Sequence, residues 1–344
     1  MAPKRYLMYV SQLYALSILR PVQKAALARG DEVAWFFDGK GSEYLTTDER
    51  LMTSVDDVMR FKPDAIFVPG NWVPYFFPGV KVQVNHGFIA NKFSDSKGHF
   101  RIRGFFDLYV TQGEDTTGPF KDLARKHGHF EVVETGWPKM DPLYWERDDI
   151  PKYDRPVVLL GSTFTPRMSC AFPLLETITR LSKTGKWQWL INLHPKMDPE
   201  VVAAYKAIQG EFLDFPDTDD VIPLLRAADV MVCDTSSILS EFMLQQKPVV
   251  TFKNQLPGPY MIDIDDPGLL EKSIEFALTR PPEVMREIKK YTDIIHPYHD
   301  GKSSERVLQA TDNLIEKGTG HLKKKPLNLW RKIQVRKRLK CWTF

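Results

Sequence analysis

Two histidines stand directly after apolar runs. His86, in Asn85-His86-Gly87, follows residues 80–84; His194, in His194-Pro195, follows residues 188–193. An imidazole titrates near neutrality, so either can take a proton or donate a hydrogen bond to an anion. Gly87 lets a ligand approach the backbone beside His86. A loop histidine bonded only to backbone would occupy the same position. A third run, 157–160, leads into Gly161-Ser162-Thr163-Phe164-Thr165-Pro166-Arg167. Its hydroxyls are donors, and Arg167 offers a fork for phosphate. A fourth, 230–233, leads into Asp234-Thr235-Ser236-Ser237 at the start of a helical pattern. Backbone N–H groups and hydroxyls at a helix start attract anions, although simple capping by Asp234 or Ser236 needs no ligand. Glu241 lies about one turn further on, placed either to reach ribose hydroxyls or to sit on the surface. Together Thr163, Arg167, His194, Ser236 and Ser237 could hold a pyrophosphate without a metal.

Other chemistries lack their residues. There is no G-x-x-x-x-G-K-[ST], no G-x-G-x-x-G, no G-x-S-x-G and no H-E-x-x-H. His296 and His299 flank Pro297, which suits a turn better than a helical ligand pair. Cys170, Cys233 and Cys341 form no C-x-x-C pair, so neither a disulfide framework nor a structural zinc site is expected. No cofactor or metal is expected, and a reducing compartment fits.

The elements that must present these residues alternate. Strands are predicted at 5–10, 32–37, 65–69, 80–84, 108–111 and 131–134, with helices at 13–29, 47–60 and 117–126. The charged stretch 144–155, with Pro151, reads as a linker. A second series follows, with strands at 157–160, 188–193, 213–215, 230–233 and 249–252. Its helices are predicted at 170–183, 199–208, 221–227, 237–245, 267–279 and 282–291, and 303–317 adds a late helix. This predicts two Rossmann-like α/β domains facing a cleft, residues 1–145 and 155–317, with ligands at the carboxyl ends of parallel strands.

The chain has 344 residues, 43% hydrophobic and 26% charged, enough for two cores. It shows neither a secretory leader nor an apolar run long enough to span a bilayer. Its net charge of +3 is unevenly spread. Nine Lys or Arg and no acidic residue lie in 319–344, leaving 38 basic against 44 acidic residues elsewhere. The tail 318–344 interleaves basic residues with Leu327, Leu329, Trp330, Ile333, Val335, Leu339, Trp342 and Phe344. Such a segment suits an anionic membrane surface through residues 322–344. The acidic body offers no wider basic face for nucleic acid.

The ordered set of His86-Gly87, Thr135-Gly136-Trp137-Pro138-Lys139-Met140-Asp141, Ser162-Thr163-Phe164, Leu193-His194-Pro195, Asp234-Thr235-Ser236-Ser237, Lys247-Pro248-Val249-Val250 and Tyr298-His299-Asp300-Gly301-Lys302-Ser303-Ser304-Glu305-Arg306 resembles the CDP-glycerol glycerophosphotransferase family. The resemblance implies the GT-B arrangement of two Rossmann-like domains. It implies transfer of glycerol phosphate from CDP-glycerol to a hydroxyl of a glycan or lipid-linked acceptor, with release of CMP; lipid-linked acceptors agree with the placement expected from the tail, in the cytoplasm at the inner face of the cell membrane. Carried over by position, His86 resembles the general base, with Asn85, Gly87 and Lys92 on the acceptor side. Thr163, Arg167, His194, Ser236 and Ser237 would hold the donor phosphates, and Asp234 and Glu241 would position the loop and the ribose. The family's His-Gly stretch usually continues Thr-Pro-Leu-Lys; here it reads Phe88-Ile89-Ala90-Asn91-Lys92. Glycosyl transfer from a nucleotide sugar, a UDP-sugar 2-epimerase and a non-enzymatic nucleotide-sugar-binding protein are the alternatives in the same architecture.

Overall fold

The computed structural model describes residues 3–88, 100–218 and 220–342. The chain forms two compact units, Met1–Tyr144 with Ile295–Phe344, and Trp145–Ile294.

The first unit begins with β1 (Arg5–Val10), α1 (Ala15–Ala28), β2 (Glu32–Phe37), β3 (Leu51–Met52) and α2 (Val55–Phe61). It continues with β4 (Ala65–Val68), β5 (Val80–Val84), β6 (Leu108–Thr111), α3 (Glu114–His127) and β7 (Glu131–Glu134). All strands pair in parallel, in the order β3-β2-β1-β4-β5-β6-β7. β1, β4 and β6 read as near-continuous apolar runs because both faces of the sheet are covered. The sheet order reverses between β1 and β4, which is where such sheets open a crevice at their carboxyl ends. The helix expected over 47–60 is shorter. Leu51 and Met52 pair with β2, and Ser54 and Asp57 close a capping box that starts α2 at Val55.

The second unit holds β8 (Val157–Ser162), α4 (Ala171–Ser182), β9 (Gln188–Leu193), α5 (Pro199–Ala207), β10 (Leu213–Asp214), α6 (Ile222–Ala227) and β11 (Val230–Cys233). It closes with α7 (Ile238–Met243), β12 (Val249–Phe252), β13 (Ile262–Ile264), α8 (Leu270–Leu278) and α9 (Pro282–Ile295). Its parallel order is β10-β9-β8-β11-β12-β13, the same winding with the reversal between β8 and β11. Its core packs Leu160, Val232 and Val250 of the sheet against Leu174 and Ile178 of α4 and Ile274 of α8. Each unit is therefore a Rossmann-like α/β layer structure, as the alternating pattern predicts.

α10 (Ser303–Lys317) lies in the first unit, not in the second as its place in the chain suggested. Its buried Asp312 accepts from the Tyr6 hydroxyl of β1 and from Arg29 at 2.7 Å. At its other end, the backbone N–H groups of Ser303 and Ser304 donate to Asp141 at 2.8 and 2.7 Å. A carboxylate at a helix start neutralises the orphaned N–H groups there.

The basic tail contains α11 (Leu329–Leu339), which is docked on the first unit. Val335 joins the core, the Arg336 guanidinium donates to the Tyr75 hydroxyl at 2.6 Å, and Arg338 pairs with Asp38 at 2.7 Å. The inner face of the tail is thus fixed to protein, while Leu327, Leu329, Trp330 and Ile333 remain exposed.

Candidate functional site

His86 follows β5 and lies half-buried at the carboxyl end of the first sheet. Its Nδ1 is 3.2 Å from the Pro69 carbonyl oxygen, just after the neighbouring β4. A carbonyl only accepts, so Nδ1 carries the proton in the neutral ring and Nε2 carries the lone pair. The Tyr14 ring lies 5.6 Å away, centroid to centroid. The backbone on either side of His86 is held by one residue. The Trp137 indole donates from Nε1 to the Asn85 carbonyl oxygen at 2.7 Å, and its ring meets Phe88 edge-on at 5.0 Å. Asn85 is buried and Gly87 half-buried in this loop. Lys92, expected on the acceptor side, lies outside the described residues.

In the second unit, the segments after β8, β9 and β11 converge. Asp234 is fully buried, and its carboxylate accepts from Ser162 Oγ at 2.6 Å, Thr163 N at 3.0 Å and Cys170 N at 3.0 Å. Burial raises its pKa, while these donors pull the other way. The carboxylate is committed to joining the β8 and β11 loops at the reversal of the sheet. Gly161 sits close beneath α7, where an added Cβ would stand 3.2 Å from Ile238.

His194 is exposed after β9 and lies 4.5 Å from the Phe164 ring. The backbone N–H of Lys196 donates to its Nδ1 at 3.0 Å. The neutral ring therefore carries its proton on Nε2 and can donate from there. Partial shielding of the ring from solvent, and then the Lys196 charge, hold its pKa below the ordinary imidazole value, which favours the neutral form. Ser236 and Ser237 precede α7, which is only six residues long, and Ser237 is exposed. Thr163 is buried and Arg167 exposed on the same loop. Glu241 is buried within α7, not a surface glutamate. Contacts join the loop after β8 to Asp234 after β11 and, through Phe164, to His194 after β9; Arg167, Ser236 and Ser237 lie on these same loops, and hydroxyls, an imidazole N–H and a guanidinium are groups suited to an anion. Among the described residues, no group of three or more His, Cys, Asp or Glu side chains is placed to hold a metal ion.

Two features escaped sequence reasoning. The loop after β12 braces the β11 loop, with Asn254 donating to the Asp234 carbonyl oxygen at 3.2 Å and Gln255 N to Thr235 Oγ1 at 3.0 Å. His296 is buried, and its Nε2 accepts from the Trp137 backbone N–H at 2.9 Å. No local pattern signals either contact; the second joins positions 159 residues apart.

Residues 80–312 match the family model of the CDP-glycerol:poly(glycerophosphate) glycerophosphotransferases. The chain is similar to the teichoic acid glycerol-phosphate primase of Bacillus subtilis, 22% identical over 238 residues covering 64% of this chain. The match spans 61% of the primase's length. In structure it is similar to the wall teichoic acid polymerase TagF, with a TM-score of 0.63, 14% identity and coverage of 91% of this chain and 89% of that one. It is also similar to a UDP-N-acetylglucosamine 2-epimerase, with a TM-score of 0.64, 15% identity and coverage of 95% and 99%. At these identities the two structures speak for the fold alone.

Proposed function

Since the chain belongs to the CDP-glycerol:poly(glycerophosphate) glycerophosphotransferase family, we propose that it transfers glycerol phosphate from CDP-glycerol to a hydroxyl of a glycan or lipid-linked acceptor. The family match carries this reading, because residues 80–312 contain every candidate site residue named above. The acceptor oxygen attacks the β-phosphorus. The new P–O bond forms as the P–O bond to CMP breaks, and CMP leaves with the electron pair. The acceptor's proton passes to Nε2 of His86, the nitrogen left with a lone pair by the Nδ1 contact to Pro69. His194 Nε2–H, Thr163, Arg167, Ser236 and Ser237 bind the donor phosphates and stabilise the charge that moves onto CMP. Asp234 positions the donor loops from behind, and Glu241 supports the ribose side. Asn85 and Gly87 line the acceptor side.

The protein works in this reading at the inner face of the cell membrane. The exposed apolar face of α11, set among basic residues, supports that placement. Among the described residues no helix is long and apolar enough to cross a membrane.

The test is incubation of the full chain with CDP-glycerol and a glycerol-phosphate-primed glycan, following CMP. Release of CMP that depends on the acceptor, and its loss in His86→Ala with donor binding retained, is the expected result. UDP release from a UDP-sugar with no use of CDP-glycerol would overturn the reading.

A further inference from the structure

The His86 loop is held by a second layer of residues that the sequence does not place beside it. Trp137 touches the loop on both sides of His86, through a hydrogen bond to Asn85 and a ring contact with Phe88. Its indole is 1% exposed, so the Nε1–H has no water to fall back on. The backbone N–H of the same residue ends on His296 Nε2, and the His296 ring also meets Phe88, 6.2 Å away and nearly perpendicular. Phe88 therefore meets both the Trp137 and the His296 rings, while His296 holds the Trp137 backbone.

The approach of these segments is built into the backbone. Gly136 has φ of +79°, and a Cβ there would stand 2.5 Å from Ser303 Oγ and 3.0 Å from His296 Nε2. One residue before it, the Thr135 N–H is tied to the Thr111 carbonyl of β6 at 2.9 Å. Beyond it, Asp141 holds the start of α10. Residues 135–141 are thus clamped between the sheet and α10, and Trp137 transmits that rigidity to the His86 loop.

We propose that Trp137 and His296 are positioning residues for His86, with the Trp137 Nε1–H fixing the loop and His296 Nε2 fixing Trp137. The proposal deepens the assignment of His86 as base and rests on it for its catalytic meaning, though not for its geometry. A misplacement of about 1 Å at a reacting group can cost about 100-fold in rate.

The experiment uses the full chain and two readouts. The first is side-chain NMR of labelled histidines, with the His86 signal assigned by its loss in His86→Ala. Trp137→Phe keeps an aromatic ring at this site but removes the Nε1–H together with one ring of the indole, so some loss of thermal stability is expected. In the folded variant the His86 signal should shift or broaden. His296→Leu should do the same, and His296→Gln, which keeps an acceptor, should restore the wild-type signal. The second readout is CMP release from CDP-glycerol. Trp137→Phe and His296→Leu should lower kcat about 10- to 100-fold with the donor KM within about twofold, and His296→Gln should recover most of it. An unmoved His86 signal in both folded Trp137→Phe and His296→Leu would overturn the positioning role, whatever the turnover. Full turnover by His86→Ala would instead remove the base assignment. Should Trp137→Phe fail to fold, the His296→Leu and His296→Gln pair decides alone: equal His86 signals in the two overturn the proposal.

Discussion

Asp234 Oδ2 lies 2.6 Å from Ser162 Oγ, so a fully buried carboxylate joins two strand ends at the reversal of the second sheet. With the N–H groups of Thr163 and Cys170 it gathers three donors. Asp234→Asn keeps the size but turns an N–H₂ group toward donors. Each buried donor left unpaired costs about 1–3 kcal/mol. The variant should lose about 2–4 kcal/mol in urea unfolding, and its KM for CDP-glycerol should rise roughly tenfold or more. An Asn variant as stable as wild type, with an unchanged KM, would show the loops do not depend on this carboxylate.

His194 makes a cleaner test of donor binding, because its ring is exposed and the fold does not lean on it. Lys196 N–H at Nδ1 leaves Nε2–H as the outward donor. His194→Ala should lower kcat/KM for CDP-glycerol by about 100-fold, the cost of one preorganised donor to developing charge. Its stability should stay within about 0.5 kcal/mol of wild type, as for other exposed substitutions. Unchanged kcat/KM would take His194 out of the donor site.

Acid stability should expose one buried and one half-buried group of opposite sign in the first unit. Burial, and then the charge of His299, lower the His296 pKa from 6.5 to about 4. The unfolded chain takes up that proton below about pH 6.5 and the folded chain only near 4. The contribution of neutral His296 is therefore full above 6.5 and lost as pH falls towards 4, up to about 3 kcal/mol. Asp115 runs the other way. Burial, only partly offset by hydrogen bonds at Thr116, raises its pKa from 3.8 to about 6, and its Oδ1 is buried without a partner. Its contribution is full below 3.8 and lost as pH rises through 6, by less than about 3 kcal/mol because its other oxygen sees solvent screening. The two nearly cancel in the wild type between pH 4 and 6.5. His296→Gln should gain stability relative to wild type on going from pH 7 to 4.5, and Asp115→Asn should lose it. Urea unfolding of the three proteins at both pH values checks this; parallel pH dependence in all three would sink it.

Much of the fold was readable because buried parallel strands leave plain apolar runs. The runs at 5–10, 32–37, 80–84, 188–193, 230–233 and 249–252 have the bounds predicted for them. Leu51–Met52 and Ile262–Ile264 were not, because two or three residues carry no period. The strand-end residues His86, Thr163, His194 and Asp234 could be named because parallel sheets present ligands at carboxyl ends. The partnership of α10 with the first unit was not legible. Its helix period is clear, but the period says only that one face is buried, not against which sheet; the tie from Asp141 to Ser303 spans 162 residues. Likewise Pro297 marked a turn near His296, but nothing local told that the ring would accept from Trp137. The tail's composition showed its two chemistries, basic and apolar, without showing that Val335 and Arg336 turn inward while Trp330 and Ile333 turn outward.

That division of α11 into two faces lets the proposed membrane attachment be tested separately from folding. Val335 and Arg336 are 5% and 8% exposed, whereas Leu329, Trp330 and Ile333 are 65%, 71% and 46% exposed. Each outward side chain that enters the acyl boundary contributes up to about 1.5–3 kcal/mol, and each basic residue beside an anionic surface about 1 kcal/mol. The triple change Leu329→Ser, Trp330→Ser and Ile333→Ser should lower co-sedimentation of the full chain with phosphatidylglycerol vesicles by at least about 100-fold, with little change in the thermal midpoint. Raising the salt should weaken binding of the wild type by screening the basic residues. Val335→Asp should act on the other face, lowering the thermal midpoint by placing a charge in the apolar core that Val335 shares with Phe36 and Tyr9. If the triple variant sediments with vesicles as well as wild type does, the outward face is not the membrane contact. If it unfolds like Val335→Asp, the two faces are not independent.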